Sequence, residues 1–164
     1  MAVIAFRLLP FRAPNVEPIL ASLMPLTKRF GAFETFAFAF SSIFIYDAIT
    51  SGIGSWTWAT ASVYGLVGVA AAIFFQTRSF SRANFVAFGV CATLVYDILT
   101  GLTIGPLFFG QSFSIALAGQ IPFTALHLAG TVLFSLTVSP ILSAWLASPY
   151  LFSAAEKQAI HRAG

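Results

Sequence analysis

The sequence has very few charged residues: Lys, Arg, Asp and Glu together make up 8% of it, whereas 59% of the residues are hydrophobic. A soluble domain contains roughly 25% charged residues, so the composition excludes a soluble globular fold. There is a single cysteine, Cys91, which excludes an internal disulfide and a thiolate metal cluster. The sequence therefore predicts an all-α, multi-pass integral membrane protein, with residues 1–164 forming one membrane domain.

Catalytic and nucleotide-binding motifs are also missing. The chain has no Gly-x-Ser-x-Gly elbow, no His-Glu-x-x-His and no Walker loop. We therefore expect no enzyme activity and no cofactor, and any ATPase that powers transport must be a separate chain. The net charge of +3 is consistent with contacts to lipid headgroups, so nucleic-acid binding is not implied.

Hydrophobic runs indicate where the chain crosses the bilayer, because one crossing takes about 20 apolar residues. Spans are predicted at 33–49, 56–75 and 83–99, and residues 16–26 form a run too short for an ordinary crossing. The run at 113–147 is interrupted by Pro122, and proline starts helices more readily than it sits inside them. We therefore expect a short outer segment at 113–118 and a final span at 122–145, which gives about five to six helices.

The positive charges predict the orientation of these spans. Three clusters fall on one side of the predicted bundle, which the positive-inside rule makes cytoplasmic together with the C-terminus. The connections at 51–55 and 101–111 are uncharged and lie outside. We expect the first helix to be short or truncated: either the chain begins downstream of its true start, or it tolerates a short first helix. We expect the outer Arg7 and Arg12 to bind an anion. The three clusters are Lys28 with Arg29, Arg78 with Arg82, and Lys157 with Arg162.

A repeat is present within the apolar sequence. The block at 37–50 returns at 87–100, and each copy ends in Tyr-Asp-x-x-Thr, within a parallel repeat that covers 33–76 and 83–147. An ionisable group in a membrane span is costly and normally faces a cavity or a partner. Asp47 and Asp97 are therefore predicted to share a polar site. Both fall near predicted helix C-termini, where the helix dipole disfavours a carboxylate. The alternative interpretation is that one of them braces a loop.

Other polar residues have two interpretations each. Asn15 and Glu17 either form a turn or helix cap, or contact a ligand amine. Trp56 is either a membrane-interface anchor or a stacking partner for a flat ligand. Gln120 and His127 lie on nearly the same helix face and either line a cavity or, in the case of His127, bond a neighbouring carbonyl or tyrosine.

Three segments resemble the membrane-embedded substrate-binding subunit, or S component, of an energy-coupling factor transporter. They are FRAPNVEPI at 11–19, YDAITSGIGSWT at 46–57 and QIPFTALHLAG at 120–130. The resemblance implies capture of a vitamin, a vitamin precursor or a similar micronutrient on the outer side of a prokaryotic cell membrane. It also implies partnership with a transmembrane coupling protein and two ATPases. The candidate substrate-binding residues are Arg12, Asn15, Glu17, Asp47, Trp56, Asp97, Gln120 and His127.

Members of that family that take nickel or cobalt begin with Met-His, whereas this chain begins with Met1 and Ala2. Its histidines, His127 and His161, are predicted to lie on opposite sides, so no metal site is expected. Two other classes of function remain. One is a self-sufficient oligomeric secondary transporter or channel, in which Asp47 and Asp97 couple an ion. The other is a small membrane enzyme or assembly factor, although the chain has no recognisable catalytic set.

Overall fold

A computed structural model describes residues 2–11 and 13–148, and within these residues the chain forms helices and no β-strand. This confirms the predicted all-α, multi-pass bundle, in which the first helix is short. A π-helical segment at Ile98–Ile104 joins the fifth and sixth helices. The helices are α1 Ala2–Arg7, α2 Ile19–Leu26, α3 Ala32–Thr50, α4 Ser55–Thr77, α5 Arg82–Asp97, α6 Gly105–Phe109 and α7 Phe113–Leu146.

Four helical stretches are long and apolar enough to cross a membrane. They are Ala32–Thr50, Ser55–Thr77, Arg82–Phe109 and Phe113–Leu146. The predicted spans at 33–49, 56–75 and 83–99 fall within the first three of them. The chain is therefore a multi-pass membrane protein.

The predicted break in the last hydrophobic run is wrong. Phe113–Leu146 is one helix of 34 residues that contains both Pro122 and Pro140. A proline removes only one helical hydrogen bond, whereas an open loop in hydrocarbon would leave several backbone groups without partners. The long apolar run on both sides of Pro122 therefore continues as a helix.

The predicted outer loop at 101–111 is also mostly wrong. The third span continues beyond α5 through the π-helical segment and α6, and stops at Gly110, whose φ of 66° is left-handed. The residues that follow Asp97 are largely apolar, so a helical backbone keeps its polar groups bonded. As a result Asp97 lies inside a continuous helical stretch instead of near its end.

Small residues bring the helices together. On α4, a Cβ added to Gly68 would lie 2.5 Å from the backbone oxygen of Thr35 on α3, so these two helices touch along their backbones. The hydroxyls of Thr93 on α5 and Thr131 on α7 are 2.9 Å apart in the core. The buried helix α2 is fastened to α7 by a hydrogen bond of 2.7 Å from Ser139 to the Ala21 carbonyl. The buried α2 is thereby held against α7.

Candidate functional site

A cavity of 230 Å³ lies between α1, the segment before α2 and helices α3, α4, α5 and α7. Ser51 and Trp56, which flank the α3–α4 connection, place one side of it at the predicted outer end of the bundle. We call it the polar cavity, because charged and hydroxyl groups share its wall with aromatic rings. Its lining residues are Arg7, Asn15, Glu17, Ile43, Asp47, Ser51, Trp56, Thr60, Tyr64, Tyr96, Phe123 and His127.

The structure brings most of the predicted binding residues to this cavity. Asn15, Glu17, Asp47, Trp56 and His127 all line it. Asp97 and Gln120 instead line a neighbouring groove that is otherwise almost wholly apolar, and Arg12 lies outside the described residues. The groove is formed by Leu94, Asp97, Ile98, Leu102, Leu117, Gln120, Ile121, Thr124, Ala125 and Leu128.

Arg7, which the sequence placed on the outer side but not among the binding residues, forms an ion pair in the cavity wall. Its Nε lies 2.8 Å from an oxygen of Glu17, and both side chains are only 10% exposed. The guanidinium also donates to the Ser42 carbonyl at 3.2 Å and lies 3.9 Å from the centroid of the Tyr46 ring. The positive charge of Arg7 is thus matched by Glu17, which weakens the expectation that Arg7 binds an anion. An arginine and a glutamate close together in an apolar region are the signal for such a pair.

The turn that carries Asn15 and Glu17 has a strained backbone. Asn15 has a φ of 62°, a left-handed conformation that asparagine adopts more readily than most residues. The residue that precedes α2 is Pro18, and no side chain caps that helix. Asn15 therefore has the predicted turn role and also lines the cavity.

Asp97 and His127 form a buried pair behind the cavity wall. One Asp97 oxygen lies 2.9 Å from His127 Nδ1, and the other accepts a hydrogen bond of 2.7 Å from Thr124. Thr124 in turn accepts from the Gln120 amide at 3.0 Å. The predicted common face of Gln120 and His127 thus exists, but it is turned to Asp97. Because Asp97 is 1% exposed, it reaches the cavity only through the imidazole of His127.

Aromatic rings also line the polar cavity. Tyr64 and Tyr96 meet edge to face with centroids 4.9 Å apart, and the Tyr96 and Phe123 rings each lie 6.0 Å from the His127 ring at right angles. Sequence reasoning missed both tyrosines as wall residues, although Tyr96 precedes Asp97 in the repeat. Trp56 packs against Phe109 at 5.1 Å while it lines the entrance, so it both anchors α6 and faces the cavity.

The neighbours of the Asp97–His127 pair bear on its chemistry. A histidine oriented by an aspartate is also typical of a general base. Within residues 2–11 and 13–148, however, no serine, threonine or cysteine side chain is hydrogen-bonded to the free ring nitrogen of His127. The same part of the chain contains no group of three His, Cys, Asp or Glu side chains that could hold a metal ion.

No protein family, curated protein or solved structure matches this chain. Its function must therefore be argued from the cavity itself. Two properties of that cavity matter most: it lies inside a membrane-spanning bundle, and its wall carries ionised and hydroxyl groups.

Proposed function

We propose that this protein is the membrane-embedded substrate-binding subunit of an uptake transporter of the energy-coupling factor type. Its ligand would be a vitamin, a vitamin precursor or a similar micronutrient. The observation that supports this most strongly is a polar cavity that is lined by residues of four membrane-spanning helices, with Ser51 and Trp56 in its wall. Polar groups at membrane depth are costly and normally mark a substrate path.

The size of the cavity supports a small ligand. A dry protein cavity of about 150 Å³ accommodates benzene, and the polar cavity is larger, at 230 Å³. It can therefore hold one ring with substituents, which matches the scale of many micronutrients. A macromolecular substrate would not fit.

The transport cycle that we propose requires partners. The chain has no Walker loop, and its resemblance to S components implies a transmembrane coupling protein and two ATPases. In this proposal the protein lies in a prokaryotic cell membrane with its C-terminus in the cytoplasm. Ligand enters beside the α3–α4 connection, and ATP-driven movement of the partners then reorients the subunit so that the ligand is released inward.

The test is a pull-down of the tagged full-length chain from its native membrane in mild detergent, followed by mass spectrometry of bound proteins and of small molecules released on denaturation. We expect a coupling protein, two ATPases and a metabolite. The variant Asp97→Asn should retain the protein partners and recover less metabolite, whereas Glu34→Gln, in the first turn of α3, should retain both. Recovery of the chain alone, together with uptake into liposomes that lack ATP, would support a secondary transporter instead.

A further inference from the structure

The charges on the wall of the polar cavity do not balance. The described lining residues include one cation, Arg7, and two carboxylates, Glu17 and Asp47. Arg7 is paired with Glu17 at 2.8 Å. Within the described residues, the Asp47 carboxylate has no hydrogen bond or ion pair to another side chain. Among the described residues, the wall therefore carries one negative charge without a matching cation, and Asp97 is bonded to His127.

Three further polar atoms in the wall have no partner among the described residues. These are His127 Nε2 and the hydroxyls of Tyr64 and Tyr96, although these residues are only 5%, 3% and 8% exposed. All three residues line the polar cavity. Because buried polar groups are almost always hydrogen-bonded, these atoms are available to bind the contents of the cavity.

The hydrogen-bonding role of His127 is set by Asp97. Its Nδ1 lies 2.9 Å from an Asp97 oxygen, and a carboxylate only accepts hydrogen bonds, so Nδ1 carries the proton. In the neutral form of the ring, Nε2 is then an acceptor. An acceptor at Nε2 and a carboxylate at Asp47 both favour a ligand that bears N–H groups and positive charge.

The aromatic residues favour the same kind of ligand. Tyr64, Tyr96 and Phe123 line the cavity around His127. Aromatic faces attract organic cations within about 6 Å of the ring centroid, and flat rings pack well against them. The wall thus combines a counter-charge with surfaces for a planar group.

We propose that the polar cavity binds a small organic cation with a flat ring and N–H groups, with Asp47 as its counter-ion and His127 Nε2 as an acceptor. Asp97 positions His127 and does not touch the ligand. This inference rests on the proposed function, because it names the ligand class of the same site. It makes a prediction about ligand charge that can be tested without any transport assay.

Three probes of nearly the same shape separate the effect of ligand charge on affinity from the effect of ligand size. Benzamidine is a cation, benzamide is neutral and benzoate is an anion. Their binding to the full-length protein in lipid nanodiscs is measured by isothermal titration calorimetry. A charge-assisted hydrogen bond should make benzamidine bind at least about tenfold more tightly than benzamide, with benzoate weakest. Equal or tighter binding of benzamide or benzoate would overturn the proposal, as would the absence of binding by all three probes.

Variants on one helix test the role of Asp47. The change Asp47→Asn should lower benzamidine affinity by about tenfold and leave benzamide affinity unchanged, whereas Asp47→Glu should keep the preference for the cation. Glu34→Gln removes a carboxylate from the opposite end of α3 and should change neither affinity. If Asp47→Asn has no effect, or if Glu34→Gln has the same effect, Asp47 is not the counter-ion.

The pull-down separates this inference from the proposed function. Recovery of the coupling protein and the ATPases with an anionic or uncharged metabolite would support the proposed function as a transporter subunit and refute the proposal of a cationic ligand. If the protein binds benzamidine more tightly than the other probes but no ATPase is recovered with it in the pull-down, the cation site is supported and the proposed function as a transporter subunit is refuted.

Discussion

The two copies of Tyr-Asp-x-x-Thr have the same local structure and different surroundings. In both, the threonine hydroxyl donates to the carbonyl of the tyrosine four residues earlier: Thr50 to Tyr46 at 2.8 Å and Thr100 to Tyr96 at 2.8 Å. After the first copy the helix stops at Thr50. After the second it continues through the π-helical segment. The motif therefore determines a local hydrogen bond but not the path of the chain beyond it.

The aspartates differ more than the threonines. Asp97 is buried and bonded to Thr124 and His127 on α7. Asp47 is partly exposed and has no such bond within the described part of the chain. The neighbouring helix thus decides the surroundings of each carboxylate: Asp97 is bonded to a histidine and a threonine, and Asp47 has no side-chain partner among the described residues. The sequence-based alternative, in which one aspartate braces a loop, does not describe Asp97, which is bonded to His127 on a helix.

The largest expected effect tests this difference directly. Replacing Asp97 by Ala leaves His127 and Thr124 without their buried acceptor, so we expect the free energy of unfolding to fall by about 3 kcal/mol. Asp47→Ala should change it by less than about 0.5 kcal/mol, because that carboxylate has no partner to lose. Unfolding by titration with SDS in mixed micelles measures the change in unfolding free energy for both variants. Equal losses would show that the two aspartates have equivalent surroundings.

The spans could be predicted from sequence because the thickness of the bilayer sets their length. Apolar runs of about 20 residues identified α3, α4 and the first part of the third span. The interruption at Pro122 and the loop at 101–111 were wrong for one common reason. At both places the cost of leaving backbone groups unpaired in hydrocarbon exceeds the helix-breaking effect of the local proline and glycine residues.

The site was only partly predictable. Asp47, Asp97 and His127 stand out because polar residues are rare in apolar runs, and the repeat pairs the aspartates. Which groups meet is a property of helix packing that one sequence does not contain. Tyr64 therefore looked like any other aromatic residue of a span, and the pairing of Arg7 with Glu17 depended on how α1 packs beside α3.

The tyrosines of the two copies also have different neighbours. Tyr46 lies under the guanidinium of Arg7, whereas Tyr96 packs against Tyr64 and His127. Arg7→Gln would leave Glu17 in the cavity wall without its cation, and we expect a loss of about 2 kcal/mol in unfolding free energy. The double change Arg7→Gln with Glu17→Gln should recover part of that loss, because the carboxylate of Glu17 is then no longer present without its cation. A double variant no more stable than the single one would show that the ion pair is not what Arg7 contributes.

The helix pairs that carry the two copies differ in how closely they pack. A Cβ at Gly68 would meet the α3 backbone at 2.5 Å, whereas a Cβ at Gly89 on α5 would meet the Thr131 side chain at 2.8 Å. Side chains yield more easily than backbone, and alanine gains about 1 kcal/mol of helix propensity over glycine. We expect Gly68→Ala to destabilise by about 1.5 kcal/mol and Gly89→Ala to be near neutral in the same titration.

Gly119 on α7 provides the control for these glycines, since an added Cβ there meets nothing within 4 Å. Gly119→Ala should stabilise the protein by up to about 1 kcal/mol through helix propensity alone. If Gly68→Ala were as stabilising as Gly119→Ala, this result would contradict the close backbone contact between α3 and α4.

The smallest expected effect concerns the hydrogen bond that both copies share. Thr100 is buried and Thr50 is exposed, so water replaces the lost hydroxyl contact in Thr50→Val but not in Thr100→Val. Hydrogen bonds inside membrane proteins contribute about 0.6 kcal/mol on average. We expect a loss of that size for Thr100→Val and no measurable change for Thr50→Val in the SDS titration. A larger loss at Thr50 would mean that the first copy is the more buried one, and that Asp47 is less accessible to a ligand than Asp97.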